Sequence, residues 1–212
     1  MLKKNSIYQL ITDSSVEEKT VMVLLCLLFI TVLVVYLERF FVINASISAD
    51  DNFMNQIKDH IINRKPESAK ALCNNTKEPI ARLIGKGLSR IGKPLSDIDK
   101  SIENTQKIET YRLKKNISVL ATTTVAAPML GFLGTVIGMI TAFYQIENSE
   151  QITLKIIFIN LYPSLITTLL GLVVGIISYV EYKHLHAKID KVVHYMEVKS
   201  AEFLDFLSEP IQ

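Results

Sequence analysis

The sequence predicts an all-α integral membrane protein with three transmembrane helices, the second and third of which extend into the cytoplasm as a helical bundle. Two observations predict it. Charged residues make up 21% of the 212 residues, but long stretches carry none and the segments between them carry nearly all. The chain is also 49% hydrophobic with a mean hydropathy of +0.29, high for a water-soluble protein. Segregation of this kind belongs to a bilayer rather than to one globular core. A chain this short cannot surround three uncharged helices with protein, so buried helices of a soluble core do not account for them.

The first span covers 21–37 and contains no charge, just enough to cross ~30 Å of hydrocarbon. It ends at Glu38 and Arg39 and is longer than the apolar core of a signal peptide, so it reads as a retained anchor. The second span covers 117–143 and the third 156–179, both uncharged throughout and long enough to cross with some tilt. Lysine and arginine crowd the 38–116 segment, whereas the 144–155 hairpin holds only Lys155. By the positive-inside rule the large loop is cytoplasmic. Three crossings then place 1–20 and the hairpin in the periplasm. The 180–212 tail is cytoplasmic, in agreement with Lys183, Lys188, Lys191 and Lys199.

Within the large loop, Ile84, Leu88, Ile91, Leu95, Ile98 and Ile102 alternate by four and three, the mark of one helical face. Gly92 and Pro94 interrupt the pattern. One helix is expected to end near Ile91 and a second to start near Pro94 or Ser96 and run through Ile108 directly into the second span. In the tail, Leu185, Ile189, Val192, Met196, Phe203 and Phe206 form a second stripe. These are faces of a helical bundle and carry structure rather than chemistry.

The informative stretch is the second span. At ~100° per residue, Thr124, Ala127, Gly131, Gly134, Thr135, Gly138 and Ala142 fall on one face. Leu133, Ile137 and Ile140 lie opposite, toward lipid or a larger neighbour. In the third span, Ser164, Thr168, Gly171, Gly175 and Ser178 also share a face. Small faces let membrane helices approach closely, and docking of the two faces explains the glycines and alanines. It leaves over the hydroxyls of Thr124, Thr135, Ser164 and Thr168. Each can bond a carbonyl one turn back, whereas several together suit a lined aqueous path. Thr135 lies ~12 Å and Thr168 ~18 Å from the outer ends of their spans at 1.5 Å per residue, so both fall near mid-membrane.

On these residues a resemblance rests. The run Ala127-Pro-Met-Leu-Gly-Phe-Leu-Gly-Thr-Val-Ile-Gly-Met-Ile-Thr-Ala-Phe143 resembles the signature of the MotA/TolQ/ExbB proton-channel family. Ser164-Leu-Ile-Thr-Thr-Leu-Leu-Gly-Leu-Val-Val-Gly-Ile176 is similar to that family's third-span motif. The likeness covers roughly 78–182, and three spans rather than four place it nearer the ExbB/TolQ branch. It implies a channel subunit of an inner-membrane motor, a homopentamer around a dimer of a single-span ExbD/TolR-like partner whose intramembrane aspartate titrates. It further implies that proton flow moves a TonB- or TolA-like transducer, and that Thr135 and Thr168 correspond to the family's pore-lining threonines. One position departs. Where relatives often carry a glutamate five residues before the third-span threonine, this chain has Pro163, which removes a helix donor and is expected to kink the span near Asn160. The three spans as bounded here contain no Asp, Glu, Lys, Arg or His, so they cannot by themselves relay protons through a carboxylate: either the partner's aspartate does all the titrating or the coupling differs.

Other chemistries find no support. The net charge of +2 and the lack of a basic stripe exclude a nucleic-acid partner. Cys26 is in an apolar run and Cys73 in a polar one, so no disulfide is expected. His184 and His186 are two apart, on different faces of a helix, and make no metal site. No phosphate-cradling loop, activated nucleophile or cofactor motif is present, so no enzyme or ATPase is expected. Three readings stay open: an ExbB/TolQ-type motor subunit, a stator for surface motility or another envelope task, and a non-conducting membrane scaffold.

Overall fold

The computed structural model describes residues 16–47, 51–148 and 154–208. Among them the elements are all helical: α1 (Val16–Ile47), α2 (Asp51–Ile62), α3 (Pro66–Asn75), α4 (Pro79–Leu88), α5 (Leu95–Leu113), α6 (Ile117–Glu147) and α7 (Leu154–Ser208). Three are long and apolar enough to cross a membrane: α1, α6 and the Leu161–Ser208 part of α7. The described residues fall into two compact units, one of 16–36 with 116–183 and one of 37–115 with 184–208.

The first is the membrane unit. Its apolar core is small: Val21 and Leu25 of α1 meet Ala127 of α6 and Val174 of α7, with Phe29, Leu130 and Ile137 packed against them. The periphery is where large side chains go. Leu27, Ile30, Phe132, Ile140, Leu169 and Ile176 are all exposed, a surface that water would penalise and lipid or a neighbouring chain accepts. With lipid as apolar as leucine, cohesion between the helices comes from close packing and hydrogen bonds rather than from burial. Helix α1 begins at Val16, earlier than the expected limit of the first span, and carries Glu18 into the unit as a buried residue.

The second unit is built like a water-soluble bundle. Helices α3 and α4 each start on a proline, Pro66 and Pro79, whose fixed φ and missing N–H suit the first helical position. Helix α4 buries Ile80, Leu83, Ile84 and Leu88, and α7 contributes Leu185, Ile189, Met196 and Phe203. Gly87 lets the sides of the bundle close. A β-carbon there would sit 2.9 Å from both Ile102 Cδ1 and Phe203 Cε1. Charges tie the rim: Lys58 bonds Glu202 at 2.6 Å, and Arg82 and Arg112 hold the buried Glu109 at 2.6 and 2.7 Å.

Two expectations require correction. The helix of the large loop ends at Leu88, not near Ile91, because turn bonds take over through Ile91 and Gly92 adopts φ 93°, a conformation open to glycine without cost. The following helix does not run into the second span. It stops at Leu113, and Asn116 adopts a left-handed φ of 61° before α6 starts. Asparagine tolerates that conformation, and apolar periodicity is blind to a single such residue. The extension of the second span into the bundle is therefore broken, while that of the third is continuous in α7.

Candidate functional site

The glycines of α6 and α7 set the separation of the two helices. A β-carbon on Gly131 would lie 2.8 Å from the Thr167 carbonyl oxygen, and one on Gly134 would overlap Thr167 Oγ1. No side chain fits at either place. Gly175 fills a different need. Pro128 has no N–H to give the Thr124 carbonyl, and the backbone of Gly175 lies against the proline ring, where a β-carbon would be 2.6 Å from Pro128 Cγ and 3.1 Å from the Thr124 oxygen. Gly138, further along α6, faces Ser164, and Ala127 and Ala142 are buried.

Into the narrow seam project three threonines. Thr135 Oγ1 and Thr168 Oγ1 are hydrogen-bonded to each other across the two helices. Thr135 also reaches the Ser164 carbonyl at 3.2 Å, and Thr168 the Gly131 carbonyl at 3.1 Å. Each hydroxyl has one proton to give and lone pairs to accept with. If Thr135 donates to Thr168, then Thr168 donates to Gly131; if Thr168 donates to Thr135, then Thr135 donates to Ser164. The pair thus has two fully satisfied proton arrangements, interconverted by turning two hydroxyls.

Of the four hydroxyl residues marked in the sequence, the structure brings Thr135, Ser164 and Thr168 together. Ser164 gives its own proton to the Leu161 carbonyl at 2.9 Å and joins the cluster through its backbone oxygen. Thr124 stands apart, donating to the Leu120 carbonyl at 3.0 Å on its own helix. Thr167 was missed. It is fully buried and donates to Ser164 at 2.6 Å, with the Gly131 carbonyl 3.3 Å away. The signal was present, because Ser164, Thr167, Gly171, Val174 and Ser178 repeat by three and four and all are buried. Pro163 is buried within a continuous α7; the side chain of Asn160 lies outside the described residues.

Among the described residues, no acid or base of α6 or α7 enters this cluster. The histidines of α7 are elsewhere: His184 sets its ring edge-on to Phe40, and His186 Nε2 is 3.8 Å from Asp190. Among the described residues no group of three His, Cys, Asp or Glu is arranged to hold a metal ion.

The arrangement is a membrane seam with polar hydroxyls at its centre. The sequence pattern of the MotA/TolQ/ExbB proton channel family matches residues 75–198, both helices of the seam included. The chain belongs to that family. An ExbB homolog of Methanothermobacter thermautotrophicus is 29% identical over 121 residues, 57% of this chain and 42% of that one. The biopolymer transport protein ExbB of Aquifex aeolicus is 35% identical over 97 residues, 42% of this chain and 65% of the relative. The Tol-Pal system protein TolQ of Haemophilus influenzae is 29% identical over 84 residues, 40% of this chain and 37% of the relative. The chain thus answers to between about a third and two thirds of the length of these relatives. Within the MotA/TolQ/ExbB family it lies with the ExbB/TolQ-like branch, a family of channel and transport proteins rather than of enzymes.

Proposed function

We propose that this chain is the proton-conducting subunit of an ExbB/TolQ-type energiser of the bacterial inner membrane. The observation that carries the reading is the Thr135–Thr168 pair with its two satisfied proton arrangements. A proton arriving on one hydroxyl is matched by transfer of the proton that hydroxyl already held to the other, which gives up its own to water or the partner's carboxylate in the pore. Rotation of the two groups then resets the pair, and no covalent bond other than O–H is made or broken. The seam itself supplies polarity at mid-membrane, where a polar group facing lipid would be costly. The titrating carboxylate of the pore is assigned to a single-span ExbD/TolR-like partner, present as a dimer inside a homopentamer of this chain. The moving complex drives a TonB- or TolA-like transducer. The Lys/Arg-rich 38–116 and 180–212 segments face the cytoplasm and the N-terminus the periplasm.

A second reading has a specific observation in its favour. Thr124 and Ser164 spend their protons on their own helix, as they would in a non-conducting scaffold whose seam only packs helices. Proton flux into liposomes separates the two. The chain is co-reconstituted with its single-span partner and a pH gradient is followed with a trapped dye. Thr135→Ala and Thr168→Ala are expected to lower flux about tenfold, the scale of one lost hydrogen bond of ~1.5 kcal/mol, with assembly retained. Wild-type flux in both variants sinks the conducting role of the threonine pair; absence of flux in the wild-type complex leaves the scaffold.

A further inference from the structure

Glu18 is not part of the seam just described, yet it is the one charged side chain buried in the membrane unit among the described residues, 2% exposed. Its position on α1 turns it inward with Val21, Met22 and Leu25, while Glu17 and Lys19 on either side are exposed. Ionisable groups within membrane helices are expensive to place and are functional by default.

What Glu18 meets is specific. A β-carbon added to Gly138 of α6 would lie 2.6 Å from Glu18 Oε1 and 2.8 Å from Ser164 Oγ. Both oxygens therefore converge on the space that the absent side chain leaves open. Gly138 differs in this from Gly131 and Gly171, which are bare because backbone meets backbone. Here a glycine makes room for two side chains at once, Ser164, whose Cβ would lie 2.5 Å from the added carbon, and the Glu18 carboxylate. Ser164 is also the residue whose carbonyl receives Thr135, so the notch adjoins the hydroxyl pair through one residue. The titratable side chains nearest in sequence to the notch on the packed helices, Tyr144 and Glu147 on α6 and Tyr162 on α7, are exposed, as are Glu17 and Lys19 on α1.

We propose that Glu18, seated in the Gly138–Ser164 notch, is a proton-binding site of the membrane unit. Uptake of one proton converts the carboxylate to a neutral acid; release restores the carboxylate, and only an O–H bond forms or breaks. The binding step stands on the geometry of the notch. Its connection to the Thr135–Thr168 pair rests on the conducting role proposed above.

The test uses the full-length protein in lipid nanodiscs and pH-difference infrared spectroscopy. Wild type is expected to show a protonated-carboxyl C=O band that is lost in Glu18→Gln, kept in Glu17→Gln, shifted in frequency in Ser164→Ala and unmoved by exchange of sodium for potassium. Glu18→Asp keeps a carboxyl at the site and is expected to keep a displaced band if Glu18→Gln fails to fold. Gly138→Ala presses a methyl group against Ser164 Cβ and the Glu18 carboxylate and is expected to shift the titration midpoint. Superimposable wild-type and Glu18→Gln spectra overturn the proposal, as does a band that follows sodium in place of pH. Flux in the partnered complex reads out separately: absence of wild-type flux removes the conducting role and leaves the infrared result for Glu18 intact.

Discussion

Gly131 and Gly171 stand backbone against backbone. A β-carbon on Gly171 would lie 2.8 Å from Gly131 Cα and 2.6 Å from the Ala127 carbonyl oxygen. Because the obstructing atoms are main chain, no rotamer change relieves the clash and the helices themselves must part. Gly171→Ala is expected to destabilise the protein by ~1–3 kcal/mol, the usual cost of overpacking. Leu169→Ala, at an exposed site on the same helix, is expected to cost less. Thermal unfolding in one detergent ranks the two, and equal melting temperatures would contradict the contact.

The three threonines of the seam are expected to divide by role. Thr167 is fully buried with both its acceptors on backbone, whereas Thr135 and Thr168 are partly exposed and bonded to each other. Thr167→Val keeps shape and removes the hydroxyl, so it should lower stability by about 1 kcal/mol and leave most of the flux. Thr135→Ser keeps the hydroxyl and should conduct, while Thr135→Val should lose flux about as much as Thr135→Ala. A Thr135→Ser variant as inactive as Thr135→Val would show that the methyl group, not the proton, matters.

In the second unit, Glu109 is buried between Arg82 and Arg112, which keep 40% and 63% of their side-chain surface. Removing an arginine leaves a buried carboxylate short of a partner; removing the carboxylate leaves arginines that water can reach. Arg82→Met is therefore expected to destabilise by roughly 1–3 kcal/mol, more than Glu109→Met. Chemical denaturation of the two variants gives the order, and the reverse order would refute the asymmetry.

Cys73 is buried beneath Gly85, whose added β-carbon would be 3.1 Å from Cys73 Cβ. Burial pushes the thiol up to about 11 from its ordinary 9.0. Only the thiolate reacts, so in a Cys26→Ser background maleimide labelling of Cys73 should stay slow through pH 9 and accelerate toward pH 11. Below 9.0 the thiol is neutral whether folded or unfolded. Between 9.0 and about 11 the unfolded chain ionises first, so this group's contribution to stability falls as pH rises. Rapid labelling of the folded protein at pH 7 would show that Cys73 is not buried.

Helix type, the three spans and the small faces of α6 and α7 were legible because each is written as a period or a run: 3.6 residues per turn on a face, about twenty apolar residues across a bilayer. Asn116 and the turn at Leu88 were not legible, since one left-handed residue leaves the apolar pattern unchanged. Thr167 escaped because the face was traced through Thr168, its neighbour on the same helix.

By itself the sequence determined that this chain crosses a membrane three times on helices and that two of them present small, hydroxyl-bearing faces, because solvent and helix period act on each segment alone. Only the tertiary structure decided that Thr135 bonds Thr168, that Thr124 does not join them, and that Glu18 and Ser164 converge on Gly138. Those are contacts between residues 29 or more positions apart in the chain. They depend on how closely two backbones approach, which no local pattern encodes.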